Sequence, residues 1–261
     1  MPGASYGNAC WATPTFPGSD GHLYERCVWL QENIPYCQAK GKKILLSIGG
    51  GVLTYQLTTA DAGTAFANQL WQMYGPYNAT YVALGGIRPL DGGYYNDKTD
   101  PAYWIDIDGF DFDIELASTD NAVGYIAMLT QLRKLFLTNP CKKYLLTGSP
   151  QCSVPDLAMG AMIQAVPFDA LWVQFYNTKD CSARTWAGGN SALNNTNGKN
   201  VTSGFTYDNW VSTTAAGASK DAKIYIGLLG GPAGSSNHSG DFLWPLEATN
   251  LINTYVGDTR F

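Results

Sequence analysis

The stretch that decides the fold is Ile107-Asp108-Gly109-Phe110-Asp111-Phe112-Asp113-Ile114-Glu115, in which acidic and apolar residues alternate. Side chains of a β-strand point alternately to its two faces. Asp111, Asp113 and Glu115 therefore share one face over about 13 Å, and the apolar residues between them share the other. Burying a row of carboxylates costs free energy unless hydrogen bonds or protonation compensate for it. The stretch predicts a core strand that presents three carboxylates on one face.

The residues alone leave three uses for this row of carboxylates open. The row could supply a general acid or base for catalysis, form the solvated face of a half-exposed strand, or bind Mg²⁺ or Ca²⁺. A solvated face normally mixes charges of both signs with Thr and Ser, whereas every polar position here is a carboxylate. The composition of the face favours catalysis.

The composition indicates one large domain of low charge density. The chain has 261 residues, of which 45% are hydrophobic and 14% charged, so it can bury a sizeable core, and we expect a single domain over residues 1–261 and a monomer. The aromatic content of 13% is typical of secreted proteins that handle carbohydrate. A formal net charge of -5 argues against nucleic-acid binding. No apolar run approaches the roughly 20 residues of a membrane span.

The cysteines indicate disulfides rather than a metal site. None of the six forms a C-x-x-C pair, and the chain has only two histidines, so we expect neither a metal nor a cofactor. An even number of cysteines fits an oxidising compartment. Four N-x-S/T sequons agree with that compartment; they begin at Asn78, Asn194, Asn200 and Asn237. We expect a secreted, extracellular protein, although Met1 is not followed by a signal peptide.

Short apolar runs alternate with stretches of helical spacing along the chain. The predicted strands span residues 43–48, 107–115, 144–147, 170–177 and 223–228, the first as a buried strand. The predicted helices span residues 61–73, 120–136, 156–165, 207–219 and 246–255. A poorer helix over 23–39 is interrupted at Pro35, and 178–206 is predicted to be a loop. Strands that alternate with helices predict βαβ units and a parallel sheet.

Polar residues cluster where these strands end. They are Ser47, Asp113, Glu115, Gln151, Gln174, Tyr176 and Asn177. The carboxyl ends of the strands carry the active sites of (β/α)₈ barrels. No G-x-G-x-x-G follows a strand, so a dinucleotide-binding fold is not expected. The glycines at 49–51 fit a tight turn after the first strand.

Four motifs, in this order along the chain, resemble glycoside hydrolase family 18. The run from Ser47 to Gly50 matches the family's S-x-G-G element, and the run from Asp108 to Glu115 matches its D-x-x-D-x-D-x-E signature. Segments 146–152 and 172–177 are similar to those of the plant and fungal class III chitinases, the hevamine-like branch. The resemblance implies a (β/α)₈ TIM barrel. It also implies hydrolysis of β-1,4-linked N-acetylglucosamine in chitin and its oligomers.

The resemblance also implies a role for each site residue. In this family the 2-acetamido oxygen of the substrate attacks the anomeric carbon, an exception to the two-carboxylate scheme. Glu115 would be the general acid and then the base, and Asp113 would orient the acetamide. Asp111 would share a proton with Asp113, and Tyr176 would hydrogen-bond the acetamide oxygen. The residues that would line the sugar site are Gln174, Asn177, Gln151, Gly49 and Gly50.

The family pattern further implies disulfides and missing strands. By position, Cys10 would pair with Cys27, and Cys152 with Cys181. Two family strands precede S-x-G-G and one follows the last helix, and none of these three is recognisable here. We therefore expect an incomplete barrel without strands 1, 2 and 8, which places the activity of the isolated chain in question. Segment 86–104 is longer than in the plant enzymes; it could shape the cleft or be a tolerated surface insertion, and we favour the insertion.

Two other functions fit the same family. One is an endo-β-N-acetylglucosaminidase that cuts N-glycan cores, and the other is a non-catalytic lectin or inhibitor. Non-catalytic members commonly lose the terminal acid, whereas Glu115, Asp113 and Tyr176 are all present. We therefore expect a chitinase. Four tryptophans in loop-like stretches could stack on sugar rings; they are Trp11, Trp104, Trp186 and Trp244.

Overall fold

The computed structural model describes residues 27–51, 56–91, 100–178, 180–190, 204–234 and 239–261. Within these ranges strands and helices alternate as the sequence predicts. The strands are β1 (Leu45–Gly50), β2 (Gly109–Ile114), β3 (Leu145–Gly148), β4 (Ala170–Gln174) and β5 (Lys223–Gly227). The helices are α1 (Val28–Ala39), α2 (Ala60–Tyr74), α3 (Ala79–Ala83), α4 (Val123–Phe136), α5 (Gly160–Ala165), α6 (Ala183–Asn190), α7 (Tyr207–Ala215) and α8 (Pro245–Tyr255). Two short 3-10 helices span Pro101–Tyr103 and Ser239–Asp241.

The five strands form one sheet whose order is that of the sequence, from β1 to β5. β3 pairs in parallel with β4, and β4 in parallel with β5. Gln174 at the end of β4 lies opposite Gly227 at the end of β5. Consecutive parallel strands require a crossover connection, usually a helix. The predicted α/β class with a parallel sheet is confirmed.

Burial in β2 alternates between its two faces. Phe110 and Phe112 are fully buried and Ile114 nearly so, whereas Asp111 and Asp113 are half-buried. Full burial of a Phe side chain stabilises the fold by about 1.5–3 kcal/mol. A slip of the strand register by one residue would turn the acids to the buried face in place of the phenylalanines. The apolar face of β2 thus determines which face carries the carboxylates.

Two predictions about helices were wrong. Residues 183–190, predicted to lie in a loop, form α6, whose Ala183, Trp186 and Ala187 are buried at helical spacing. The predicted break at Pro35 is also absent, because α1 continues through this exposed proline.

β1 is less buried than predicted. None of its six residues is buried, and Ser47 and Gly49 are exposed. Among the described strands β1 is the first in the sheet order, so it has a strand neighbour on one side only. The apolar run of 43–48 correctly predicted a strand. It did not predict that this strand comes first in the sheet order, where it is less buried.

The chain divides into two compact units. The first comprises Met1–Leu46, Thr64–Gly109 and Thr130–Tyr144, and the second comprises Ser47–Gly63, Phe110–Leu129 and Leu145–Phe261. In the described part of the chain, no helix is long and apolar enough to cross a membrane.

The first unit is organised around a buried guanidinium. Arg88 donates to the Asp91 carboxylate at 2.8 Å and to the carbonyls of Gly75 and Ile105, each at 2.8 Å. Both members of this ion pair are buried. Since breaking a buried ion pair is strongly destabilising, residues 88–91 belong to the core of this unit. The interpretation of 86–104 as only a surface insertion was wrong for this part of the segment.

Candidate active site

The second unit brings polar groups from four strands together around β2. The Ser149 N–H donates to the Phe112 carbonyl at 2.8 Å, which aligns the end of β3 with β2. The Gln174 N–H donates to the Pro150 carbonyl at 2.8 Å, which aligns β4 with the same edge. Ser47, Gln174 and Tyr176 therefore lie beside the carboxylates of β2, as expected for polar residues at the carboxyl ends of parallel strands.

Asp111 is held by three hydroxyl groups. Ser47 Oγ donates to its Oδ2 at 2.9 Å, Ser149 Oγ donates to the same oxygen at 3.2 Å, and Thr147 Oγ1 donates to Oδ1 at 2.6 Å. These contacts fix the orientation of the carboxylate. Sequence reasoning gave the three hydroxyls no role, although Ser47 begins the S-x-G-G element.

Asp113 lies between two other carboxylates and has one amide donor. Gln174 Nε2 donates to Asp113 Oδ1 at 2.9 Å and to the Ser149 carbonyl at 2.9 Å. Burial raises the pKa of Asp113, and the charges of Glu115 and Asp111 raise it further, to about 6 despite the hydrogen bond from Gln174. Asp113 therefore retains a proton at mildly acidic pH.

Glu115 is the third acid of the row and follows directly after the end of β2. It is half-buried, and among the described residues no group hydrogen-bonds its carboxylate. Its Oε2 faces Gly51, where a Cβ atom would lie 3.8 Å away. A carboxyl group to which none of the described residues donates a hydrogen bond can exchange a proton with a ligand.

Tyr176 lies two residues beyond the end of β4. Burial raises the pKa of its hydroxyl, and the charges of Asp113 and Glu115 raise it further. The hydroxyl therefore stays protonated and can act as a hydrogen-bond donor beside these two acids.

The two glycines of the S-x-G-G element have different functions. Gly49 has a φ of +119°, and a Cβ atom there would lie 2.0 Å from the Asp113 carbonyl oxygen. Gly50 has a φ of +95° and faces open space. Both positions favour glycine by conformation, but only Gly49 is required for the close approach of β1 to β2.

Gln151 and Asn177 are placed by their backbones. Gln151 forms a parallel bridge with Gln174, and its N–H donates to Asp156 Oδ2 at 2.9 Å. Asn177 has a φ of +60°, and its N–H donates to Asp241 Oδ2 at 2.8 Å. The side chain of Asn177 is exposed, and no hydrogen bond joins it to the acids among the described residues.

A disulfide joins the two loops beside the site. Cys152 and Cys181 are bonded, as the resemblance implies, and link the loop after β3 to the loop after β4. Cys27 is also disulfide-bonded, and Cys10 lies outside the described residues. Cys141 has a free thiol, as does Cys37.

The candidate sugar-stacking tryptophans have different environments. Trp186 is fully buried in α6 and therefore packs in the core. Trp104 stacks on Tyr77 with ring centroids 3.7 Å apart. Trp244 is 62% exposed at the start of α8 and is available to a ligand. Trp11 lies outside the described residues.

The fold and the site together define an α/β protein with a row of carboxylates at the carboxyl ends of its strands. No group of three or more His, Cys, Asp or Glu side chains within the described ranges could hold a metal ion. Residues 31–237 match the family model "Glycosyl hydrolases family 18". The chain belongs to this family, and its fold is the TIM-barrel-like α/β fold of its members.

Fungal proteins and plant structures resemble the chain over most of its length. It is 37% identical over 258 residues to an endochitinase A of Emericella nidulans, and 37% identical over 257 residues to an endochitinase A of Aspergillus niger. These alignments cover 98% of the chain but 24% and 18% of the two relatives. The chain thus spans about a quarter or less of the length of these relatives.

Two solved structures are similar at 25% identity. A chitinase from Ipomoea carnea superposes with a TM-score of 0.60, covering 88% of this chain and 71% of that protein. A xylanase and α-amylase inhibitor from Scadoxus multiflorus superposes with a TM-score of 0.62, covering 88% of this chain and 70% of that protein.

Proposed function

We propose that this chain carries the catalytic site of a chitinase, which hydrolyses the β-1,4 bond between N-acetylglucosamine units with retention of configuration. The observation that carries the proposal is the placement of Asp113 between Asp111 and Glu115, with a raised pKa and with Gln174 and Tyr176 beside it. The endochitinase names of the two fungal relatives support chitin as the substrate.

The first step releases the leaving sugar. Glu115 donates its proton to the glycosidic oxygen, and the acetamide oxygen of the same substrate forms a bond to the anomeric carbon as the glycosidic bond breaks. Tyr176 donates a hydrogen bond to the acetamide oxygen. Asp113 accepts one from the acetamide N–H and stabilises the positive charge of the oxazolinium ion. Because Asp111 adjoins Asp113, the proton held by the pair can move to Asp111 as this charge develops.

The second step restores the enzyme. The ionised Glu115 removes a proton from a water molecule, whose oxygen bonds to the anomeric carbon as the bond to the acetamide oxygen breaks. The acid is regenerated and the configuration is retained. Sugar rings next to the reacting bond would be bound by Gln174, Asn177, Gln151, Gly49 and Gly50.

We also propose the barrel, the domain and the cellular location to which the site belongs. We place β1 to β5 among the eight strands of a (β/α)₈ barrel, with the strands that the family numbers 1, 2 and 8 outside the described residues. Residues 1–261 would belong to one catalytic domain, monomeric and secreted. The disulfide between Cys152 and Cys181 supports an extracellular location.

A non-catalytic role is the second candidate, because the Scadoxus multiflorus structure is an inhibitor of xylanase and α-amylase. Inhibition of those two enzymes by the purified protein, without release of sugars from chitin, would support it. The presence of Glu115, Asp113 and Tyr176 argues for catalysis.

The test is turnover of N-acetylglucosamine oligomers by the full-length protein and by Glu115→Gln. The variant keeps the shape of the side chain but has no proton to transfer, so kcat should fall by roughly 10²–10⁴-fold while oligomer binding measured by calorimetry changes little. A thiazoline analogue of the oxazolinium ion should inhibit competitively. Turnover by Glu115→Gln above a few per cent of wild type would exclude Glu115 as the acid. Release of free glycans from glycoproteins, with no cleavage of chitin oligomers, would identify an endo-β-N-acetylglucosaminidase.

A further inference from the structure

A segment after β5 is fastened to the end of β4 by one carboxylate. Asp241 Oδ2 accepts the Asn177 N–H at 2.8 Å, and Asp241 Oδ1 accepts the Ser182 hydroxyl at 2.9 Å. Ser182 is buried. Both oxygens of Asp241 therefore act on the loop that carries Asn177 and Ser182, although 64 residues separate Asp241 from Asn177.

The carboxylate of Asp241 is itself held in place from α6. Arg184 donates to the carbonyls on either side of Asp241, at Gly240 and Phe242. The same guanidinium makes two hydrogen bonds of 2.7 Å to the Glu247 carboxylate. A bidentate pair of this kind fixes geometry as well as adding stability.

The rest of the segment adds two more attachments. Glu247 accepts the Trp244 N–H at 2.8 Å, which caps the N-terminus of α8. Leu243 is buried. Residues 239–247, here called the clasp, thus form a rigid support for the Asp241 carboxylate.

The residue that the clasp holds follows directly after Tyr176. The N–H of Asn177 belongs to the peptide unit that begins at the Tyr176 carbonyl, so its direction sets the backbone orientation of Tyr176. The φ of +60° at Asn177 is an uncommon conformation for a residue other than glycine. A hydrogen bond from this N–H to a charged carboxylate stabilises that conformation.

We propose that Asp241 is a positioning residue that places the Tyr176 hydroxyl against the substrate. This inference rests on the proposed chitinase function, in which Tyr176 donates to the acetamide oxygen as it attacks. Loss of Asp241 releases the peptide after Tyr176. A displacement of about 1 Å of a catalytic group can cost 10²-fold in rate. The effect falls on kcat rather than on KM, because Tyr176 orients the acetamide for its attack, whereas most of the binding comes from contacts with the rest of the oligomer.

The experiment is a double-mutant cycle in the full-length protein, with kcat and KM measured on an N-acetylglucosamine oligomer. Asp241→Ala should lower kcat by about 10–100-fold and leave KM within a factor of about three. Asp241→Asn should recover most of the activity, because its amide oxygen can still accept the Asn177 N–H while its amide group donates to Ser182. In a Tyr176→Phe background, Asp241→Ala should lower kcat by less than a factor of about two.

Asp100→Ala is the matched control. Asp241 ends one short 3-10 helix, and Asp100 precedes the other and likewise accepts a backbone N–H, from Ala102 at 2.9 Å. Asp100→Ala should lower Tm by a few degrees and leave kcat unchanged. Equal effects of Asp241→Ala in the wild-type and Tyr176→Phe backgrounds, or an unchanged kcat, would overturn the positioning role. Absence of turnover in the wild type would refute the proposed function instead.

Discussion

The crowding of carboxylates on β2 should make the protein more stable when Asp113 is neutral. The folded chain raises the pKa of Asp113 from 3.8 to about 6, so the folded state binds this proton more tightly than the unfolded state does. Protonation therefore stabilises the fold. The contribution is complete below about pH 4 and is lost as the pH rises through about 6.

Asp113→Asn tests this reasoning directly. The shift in pKa corresponds to about 3 kcal/mol, which we reduce to about 1–2 kcal/mol because the group is half-exposed and partly screened. The asparagine oxygen can still accept the Gln174 amide. The variant should therefore exceed the wild type in free energy of unfolding by about 1–2 kcal/mol at pH 7.5 and match it near pH 4, while its turnover is largely lost.

Urea unfolding followed by tryptophan fluorescence at half-unit steps from pH 4 to 8 would measure this difference. Asp221→Asn, at an exposed turn before β5, makes the same change in net charge and is the control. A variant less stable than wild type at pH 7.5, or a pH dependence equal to that of the control, would refute the proposed repulsion among the carboxylates.

Three further predictions concern the packing and chemistry of the site. Gly49→Ala should lower the free energy of unfolding by at least about 2 kcal/mol more than Gly50→Ala does. The positive φ costs each alanine about 1 kcal/mol, but only the Cβ at position 49 meets a backbone oxygen. Equal urea midpoints for the two variants would contradict this. Cys181→Ser should cost about 3–4 kcal/mol, since the disulfide closes a loop of 29 residues, while Cys141→Ser should change the urea midpoint little. Tyr176→Phe should lower kcat by about 10²-fold with a small change in KM, and an unaltered kcat would remove Tyr176 from the mechanism.

Local patterns in the sequence gave much of the fold. The alternation from Phe110 to Glu115 predicted both the strand and the face that carries the acids, because strand periodicity depends on neighbouring residues only. The approach of Gln174 to Asp113 followed from the expectation that parallel strands end at one edge.

The contacts that sequence reasoning missed depend on pairing between distant strands. The hydroxyls around Asp111 come from Ser47, Thr147 and Ser149, and each lies at least 36 residues from it. Ser47 stood out as the start of the S-x-G-G element, but nothing local indicated that its hydroxyl, or those of Thr147 and Ser149, would reach Asp111. The contact between Asp241 and Asn177 was missed for the same reason.

The buried guanidinium of Arg88 has a consequence for how the chain tolerates change. Asp91 Oδ1 accepts the Ile105 N–H at 2.9 Å, and Arg88 donates to the Ile105 carbonyl. Both backbone groups of Ile105 are therefore bound by this one ion pair, at 14 and 17 residues' distance along the chain. Loss of either charged partner would leave the other charge buried and the backbone of Ile105 without its partner, which is strongly destabilising. A lineage that changes one member of the pair is therefore expected to change the other as well, so that Arg88 and Asp91 are kept or lost together.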